Sequence, residues 1–256
     1  MIHPTAIIHS RATIGAGVSI GPYAVIGEDV AVGEGTWIGP HAVIEKWTDI
    51  GRENRIFQFA SVGAVPQDLK FKGEKTILRL GDRNIVREFA TLHRGTEGGG
   101  GETAIGSENL FMAYSHVAHD CVIGNQVILA NGATLGGHVR IDDFAILGGL
   151  SAVHQFTRIG RNAMVSGGSM VAQDIPPFVI AQGDRARTVG INVIGLERRG
   201  FSAEVIQTLK KAYKLMFRTG LRTEEALQRI MLELPDGAEL KTFVEFIRDS
   251  ERGIAR

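Results

Sequence analysis

Residues 13–44 read Thr-Ile-Gly-Ala-Gly-Val-Ser-Ile-Gly-Pro-Tyr-Ala-Val-Ile-Gly-Glu-Asp-Val-Ala-Val-Gly-Glu-Gly-Thr-Trp-Ile-Gly-Pro-His-Ala-Val-Ile. An aliphatic residue recurs every six positions, often followed by glycine. Extended outward, the register takes in Ile2, Ile8, Ile14, Ile20, Ile26, Val32, Ile38, Ile44, Ile50, Ile56 and Val62. It returns at Leu80, Val86 and Leu92, and runs again through Ile105, Phe111, Val117, Ile123, Leu129, Leu135, Ile141, Leu147, Val153, Ile159, Val165 and Val171. A period of six is neither the 3.6 of a helix nor the 2 of a strand. It marks a solenoid in which each hexad supplies a short strand and a bend. Three hexads close one coil, and coils stack about 4.8 Å apart through strand hydrogen bonds. Glycine, 33 of 256 residues, belongs where the backbone bends and a side chain has no room. The pattern predicts a mainly β chain built as a parallel β-helix.

Two segments interrupt the hexads. Residues 64–79 carry charge and Pro/Gly punctuation, and residues 94–104 contain Gly98-Gly99-Gly100-Gly101. Both read as loops leaving the coil wall, and a loop on a rigid scaffold is either a carrier of function or a tolerated insertion. The hexads stop near Pro176-Pro177. Beyond Gly190 the period becomes helical: Val205, Leu209, Ala212 and Met216 share one face, with Ser202 as N-cap and Gly220 as C-cap. A second helix starts at Thr223-Glu224-Glu225 and a third after Pro235-Asp236-Gly237. The chain divides into a β-helix over 1–190 and a C-terminal α-helical cap over 191–256.

Composition removes several classes. Lys plus Arg number 28 and Asp plus Glu 28, so nothing points to nucleic-acid binding. No apolar run approaches a membrane span, and the N-terminal residues lack the basic and apolar regions of a secretory signal. The single cysteine, Cys121, excludes an internal disulfide framework and a thiolate zinc cluster. No cofactor is implied.

The repeat supplies coordinates. Residues eighteen apart lie one layer apart, so one column holds His119, Gly137, Gln155 and Gln173, and its neighbour Asp120, His138, Phe156 and Asp174. His116 and His154 stand beside them. Four of eight histidines converge on about three layers, roughly 10–15 Å of height. A metal site is one reading, since imidazole is a common ligand, but the spacing His116-x-x-His119 matches no zinc pattern. Acid–base chemistry fits better. A histidine beside a carboxylate has the pKa and the orienting partner of a general base, and a glycine one layer away lets a backbone N–H approach an oxyanion. That is a layout for acyl transfer by direct attack. Cys121 alternates away from this column and reads as a wall or core residue.

The segment His116-Val117-Ala118-His119-Asp120-Cys121 closely resembles the H-x-A-H-D-C motif of the bacterial UDP-N-acetylglucosamine O-acyltransferases, the hexapeptide-repeat enzymes that begin lipid A synthesis. The likeness spans almost the whole chain: Gln67-Asp68-Leu69-Lys70, Gly81-Asp82-Arg83-Asn84, His93-Arg94-Gly95-Thr96, Gly137-His138-Val139, Ala152-Val153-His154-Gln155-Phe156, Val171-Ala172-Gln173-Asp174 and Gly195-Leu196-Glu197-Arg198-Arg199-Gly200-Phe201. The chain opens directly on hexads, which favours the O-acyltransferase over the related N-acyltransferase with its extra N-terminal domain. The resemblance implies a left-handed coil and a homotrimer with sites between subunits. It implies a (3R)-hydroxyacyl donor on acyl carrier protein, UDP-N-acetylglucosamine as acceptor and a cytoplasmic location. His119 would be the base, Asp120 its orienting partner and the Gly137 N–H the oxyanion donor. Gln67, Asp68, Lys70, His93, His116, His138 and Gln155 would line the sugar and pantetheine cleft. His154, Asn192, Arg198 and Arg199 would contact the nucleotide or its neighbourhood, some from an adjacent subunit.

Two positions modify that expectation. Ile194 stands where the family carries an acidic residue, which puts one nucleotide contact in doubt. Gly167 aligns with the position that limits acyl-chain length, and glycine there predicts an open groove and a longer chain. From Arg198 to Arg222 the seven basic residues, Lys210, Lys211, Lys214 and Arg218 among them, face a single acid, Glu204. Such a patch either steers an acidic carrier protein or is a solvated helix face. Other acceptors or donors remain open, a 3-amino sugar or acetyl-CoA. A structural solenoid would need a flat, threonine-rich face, and this one is irregular.

Overall fold

Strands eighteen residues apart pair in parallel: Ile8 with Ile26, Val117 with Leu135, Ile123 with Ile141 and Leu129 with Leu147. The computed structural model describes residues 1–256, and its hexads form the three faces of a prism, sheets of nine, eight and ten strands. We call the face containing Val117 face 1, that of Ile123 face 2 and that of Leu129 face 3. The aliphatic residue of each hexad points inward. Ile26, Ile38, Ile44, Ile56, Val86, Phe111, Leu129 and Leu147 are at most 1% exposed. Each such burial contributes about 1.5–3 kcal/mol, and the repeat delivers one per strand along the axis.

Glycine and the sharp bend occupy different places, a refinement of the sequence reading. The residue after the core position lies against the next coil's backbone: a Cβ on Gly15 would sit 2.8 Å from the Glu34 nitrogen. The left-handed bend falls two residues later, and it is filled mostly by side-chain-bearing residues, among them Tyr23, Phe59, Asp120 (φ 59°), His138 (φ 61°) and Phe156. Every such corner aims a side chain outward from the prism edge. On the edge between faces 3 and 1, Tyr23, His41, Phe59, Phe89 and Tyr114 stack as a ladder with ring centroids 4.9–5.3 Å apart. On the edge between faces 2 and 3, Asn54, Asn84 and Asn109 are buried, each side-chain oxygen accepting the main-chain N–H of the coil above.

Both predicted loops are shorter than the broken hexads suggest. Strands Ser61–Ala64, Ile77–Leu80 and Glu102–Ile105 reach into them, because Ile77–Leu80 pairs along its whole length with Glu102–Ile105. The end of the coil is also more elaborate. Strand Val179–Gln182 joins face 3, and Arg187–Ile191 folds back antiparallel upon it. Four helices follow, not three: α1 (Val193–Arg198), α2 (Ala203–Phe217), α3 (Thr223–Glu233) and α4 (Ala238–Arg248). Ser202 caps α2 by accepting from the Val205 N–H, but the C-cap is Arg218, two residues before Gly220. The cap's apolar faces close on Leu209, Ala212, Ile230 and Phe243, all fully buried. No helix is long and apolar enough to cross a membrane.

Candidate active site

The column read from the sequence is present over three layers; at the fourth the register slips, Ile175 pairing with Ile159 and the Asp174 N–H donating to the Gly253 carbonyl. The His138 N–H donates to the His119 carbonyl and the Phe156 N–H to that of Gly137, which fixes these layers on the edge between faces 1 and 2. At that edge Asp120 turns outward and back. One carboxylate oxygen, Oδ2, lies 2.7 Å from His119 Nδ1 and 3.6 Å from His138 Nε2. The Asp120 side chain is wholly buried and that of His119 is 15% exposed. A Cβ on Gly137 would stand 2.6 Å from His119 Cε1, so the glycine makes room for the imidazole. The Gly137 N–H has no acceptor in the chain.

A groove of about 1100 Å³ opens beside the pair. Asp120, His138, Phe156, Arg140 and Arg158 line its floor, Asp68 and Lys70 come from the first loop, and Arg252 reaches over from the C-terminal turn. Asp68 shapes its loop by accepting the Lys70 N–H at 2.9 Å. Phe156 stacks on His138 with centroids 4.4 Å apart. Burial, opposed by Asp120, lowers the His138 pKa. His119 lies behind Asp120 at the edge of face 1, outside the groove's lining, and on face 1 His93 and His116 meet edge to face at 4.9 Å. Thr91 Oγ1 lies 2.7 Å from His116 Nδ1. Burial, then the adjoining imidazoles, lowers His116 and pushes His93 down to about 4. Both are neutral at neutral pH. Cys121 is buried and its thiol is raised to about 12 by burial, so it is no nucleophile.

His119, Asp120 and His138 offer ligand atoms within 4.8 Å of one another. A cation held there would break the 2.7 Å His119–Asp120 hydrogen bond.

The remaining expected residues divide. Gln155 is exposed higher on the same column and His154 beside it, with Arg252 2.8 Å from His154 Nδ1. Gln67 is exposed at the root of the first loop. Asn192, Arg198 and Arg199 are elsewhere. Asn192 is buried, accepting from Gly195 at the start of α1 and donating to the Asn162 carbonyl. Arg198 and Arg199 line a separate pocket of about 430 Å³ on the edge between faces 2 and 3, with Arg199 4.1 Å above Phe144. Ile194 is 64% exposed nearby on α1. Gly167 sits on the edge between faces 3 and 1, where its Cβ would stand 3.1 Å from the Gly149 carbonyl. Lys210, Lys211 and Lys214 are exposed on α2. Arg218, the C-cap of α2, is also exposed and donates to the Tyr213 hydroxyl at 2.9 Å. Sequence reasoning missed Thr96 and Arg252, which come from a loop and a terminal turn that carry no repeat.

Comparison with known proteins agrees along the chain. A family model described as Udp N-acetylglucosamine O-acyltransferase, domain 2, matches residues 174–255, and one for bacterial transferase hexapeptide repeats matches 102–137. An acyl-[acyl-carrier-protein]–UDP-N-acetylglucosamine O-acyltransferase from Janthinobacterium sp. (strain Marseille) is 53% identical, covering 100% of this chain and 99% of its own. The LpxA structure from Acinetobacter baumannii superposes with a TM-score of 0.97 at 46% identity, covering 100% and 99% of the two chains. That from Bacteroides fragilis gives 0.99 at 44%, covering both chains fully. The coil has the left-handed sense of these structures.

Proposed function

The chain belongs to the UDP-N-acetylglucosamine O-acyltransferase family, and we propose that it moves a (3R)-hydroxyacyl chain from acyl carrier protein to the 3-hydroxyl of UDP-N-acetylglucosamine, the first step of lipid A synthesis. The carrying observation is the His119–Asp120 pair packed over Gly137. His119 Nδ1 faces a carboxylate, so it holds the proton and Nε2 is the free base. Nε2 takes the proton of the sugar hydroxyl as its oxygen attacks the thioester carbonyl. The Gly137 N–H donates to the oxyanion. Collapse breaks the C–S bond, and the departing thiolate takes the proton from His119. Asp120 stabilises the imidazolium in between.

Asp68 and Lys70 border the groove beside Asp120 and His138 and suit an acceptor with hydroxyls and a phosphate. Gln67, His93, His116, His138 and Gln155 complete the sugar and pantetheine cleft. Asn192, Arg198, Arg199 and His154 serve the nucleotide side. Arg199 and His119 occupy different prism edges, so one substrate meets both only if a neighbouring subunit supplies one of them. A homotrimer does this. Its contact surface is suggested by face 3, whose outward residues Ile85, Leu110, Ile128, Ile146 and Met164 form an apolar column, next to the aromatic ladder. Gly167 sets the length of the acyl groove, and Lys210, Lys211 and Lys214 receive the acidic carrier. The enzyme works in the cytosol, where both substrates are.

The test offers purified protein UDP-N-acetylglucosamine and its 3-amino analogue with a ladder of (3R)-hydroxyacyl carrier proteins, and reads products by mass. The O-acyl nucleotide sugar is expected. An exclusive amide product would change the acceptor, and no product from either would overturn the reading.

A further inference from the structure

The second loop was open to two readings, function or tolerated insertion, and its contacts with Asp120 decide between them. Thr96 approaches Asp120 twice: its N–H donates to Oδ1 at 2.8 Å and its hydroxyl to Oδ2 at 2.6 Å. Thr103, from the strand closing the same loop, accepts the Asp120 N–H at 2.8 Å. Thr96 is 7% exposed and Thr103 fully buried. Gly99 lies so close that a Cβ there would overlap the carboxylate. The loop is therefore a fitted cover over the buried side of Asp120, and two of its donors point at the two carboxylate oxygens.

We propose that Thr96 is a positioning residue of the acyl transfer: its two hydrogen bonds hold Asp120 as a pure acceptor in one rotamer and thereby fix the tautomer and orientation of His119. The inference rests on His119 being the base. Oδ2 receives both the Thr96 hydroxyl and His119 Nδ1. With the hydroxyl proton committed to Oδ2, the Nδ1–Oδ2 contact needs its proton on Nδ1, and the Nε2 lone pair is left to accept the substrate proton. The hydroxyl also shares the carboxylate charge. Without it, more of that charge falls on the imidazole alone, and Asp120 attracts the imidazolium more strongly. The other charged or titratable groups nearby are His138, Glu102 and Arg140 in the groove and His93 and His116 on face 1. Asp68 and Lys70 stand across the groove. None of these is altered by a change at Thr96.

The experiment compares wild type, Thr96→Val, Thr96→Ser and His119→Ala in steady-state acyl transfer from pH 5 to 9, with folding followed by thermal melts. Valine keeps the shape and the N–H and removes only the hydroxyl. Thr96→Val is expected to lose about tenfold or more in kcat with KM for both substrates near wild type, an effect of the size seen when one positioned catalytic group is disturbed. Its acid limb in kcat/KM should move to higher pH, and Thr96→Ser should restore both rate and limb. A Thr96→Val enzyme with wild-type rate and limb overturns the proposal. So does a slow enzyme whose limb is unmoved, or a serine variant as slow as valine, because each marks a merely structural role. Should valine lower the melting point enough to unfold the protein, Thr96→Ala against Thr96→Ser carries the same comparison. An active His119→Ala would instead remove the base assignment itself, whatever Thr96 does.

Discussion

His138 Nε2 and His119 Nδ1 approach the same oxygen of Asp120, at 3.6 and 2.7 Å, and only the shorter contact is a hydrogen bond. The two rings stand edge to face at 89°, so the carboxylate is committed to one imidazole and merely polarises the other. His119→Ala should lower kcat by on the order of a hundredfold or more, with the melting temperature little changed. Asp120→Asn should lose nearly as much while leaving KM for the sugar nucleotide close to wild type. His138→Ala should act mainly on KM. An Asp120→Asn enzyme of normal kcat would remove the pair from the mechanism.

Gly137→Ala tests the fit of base to backbone. The new methyl would lie 2.6 Å from Cε1 and 2.8 Å from Nε2 of His119, and the ring must swing away. A loss of about tenfold or more in kcat is expected, since misplacement by about 1 Å costs up to a hundredfold. Unchanged kcat would show that His119 tolerates another pose.

Acid should expose His93. Its pKa falls from 6.5 to about 4 on folding, first through burial and then through His116 and His119. The unfolded chain therefore binds the proton more readily, and stability contributed by the neutral ring is present above pH 6.5 and lost as pH falls towards 4. Melting temperatures measured across that window should decline, and His93→Gln should flatten the decline. An identical slope in the variant would assign the acid sensitivity elsewhere.

Charge reversal on α2 tests carrier docking. Lys210→Glu combined with Lys211→Glu and Lys214→Glu should raise KM for the carrier-bound donor several-fold at low salt. The gap should narrow at high ionic strength, and a short acyl-pantetheine donor should not distinguish the proteins. Equal KM values at low salt would leave these lysines as a solvated face.

Gly167→Met should shift donor preference towards shorter acyl chains. Its Cβ would already stand 3.1 Å from the Gly149 carbonyl, so the longer side chain must project from the edge. A product ladder identical to wild type would remove Gly167 as the length-setting position.

The prism and the His119 column were legible because a period of six is a coordinate system: position in sequence is position in space wherever the hexads run. The same property explains what was not legible. Thr96 and Gly99 lie in an insertion with no register, so nothing in the sequence placed them on Asp120. The Arg187–Ile191 strand and α1 fall between the last hexad and the first clear helical period, where neither template applies. Arg198 and Arg199 belong to the cap, at the end of α1, and the edge they join depends on how the cap packs. Arg218 is an exposed charge as the sequence indicates, but its hydrogen bond to the Tyr213 hydroxyl depends on how the cap packs.

The left-handed corners have a consequence for how this protein can be altered. Asp120 and His138 share their backbone conformation with Glu53, Arg83, Glu108 and Gln126, and a left-handed conformation costs a side-chain-bearing residue about 1–2 kcal/mol. Tension of this kind is distributed along all three edges, mostly where no chemistry occurs. Glycine or asparagine at Glu53 relaxes one joint without touching the base, and the gains from distant joints accumulate. The scaffold thus holds a reserve of thermostability that can be released corner by corner, while the two corners that carry the reaction stay under load.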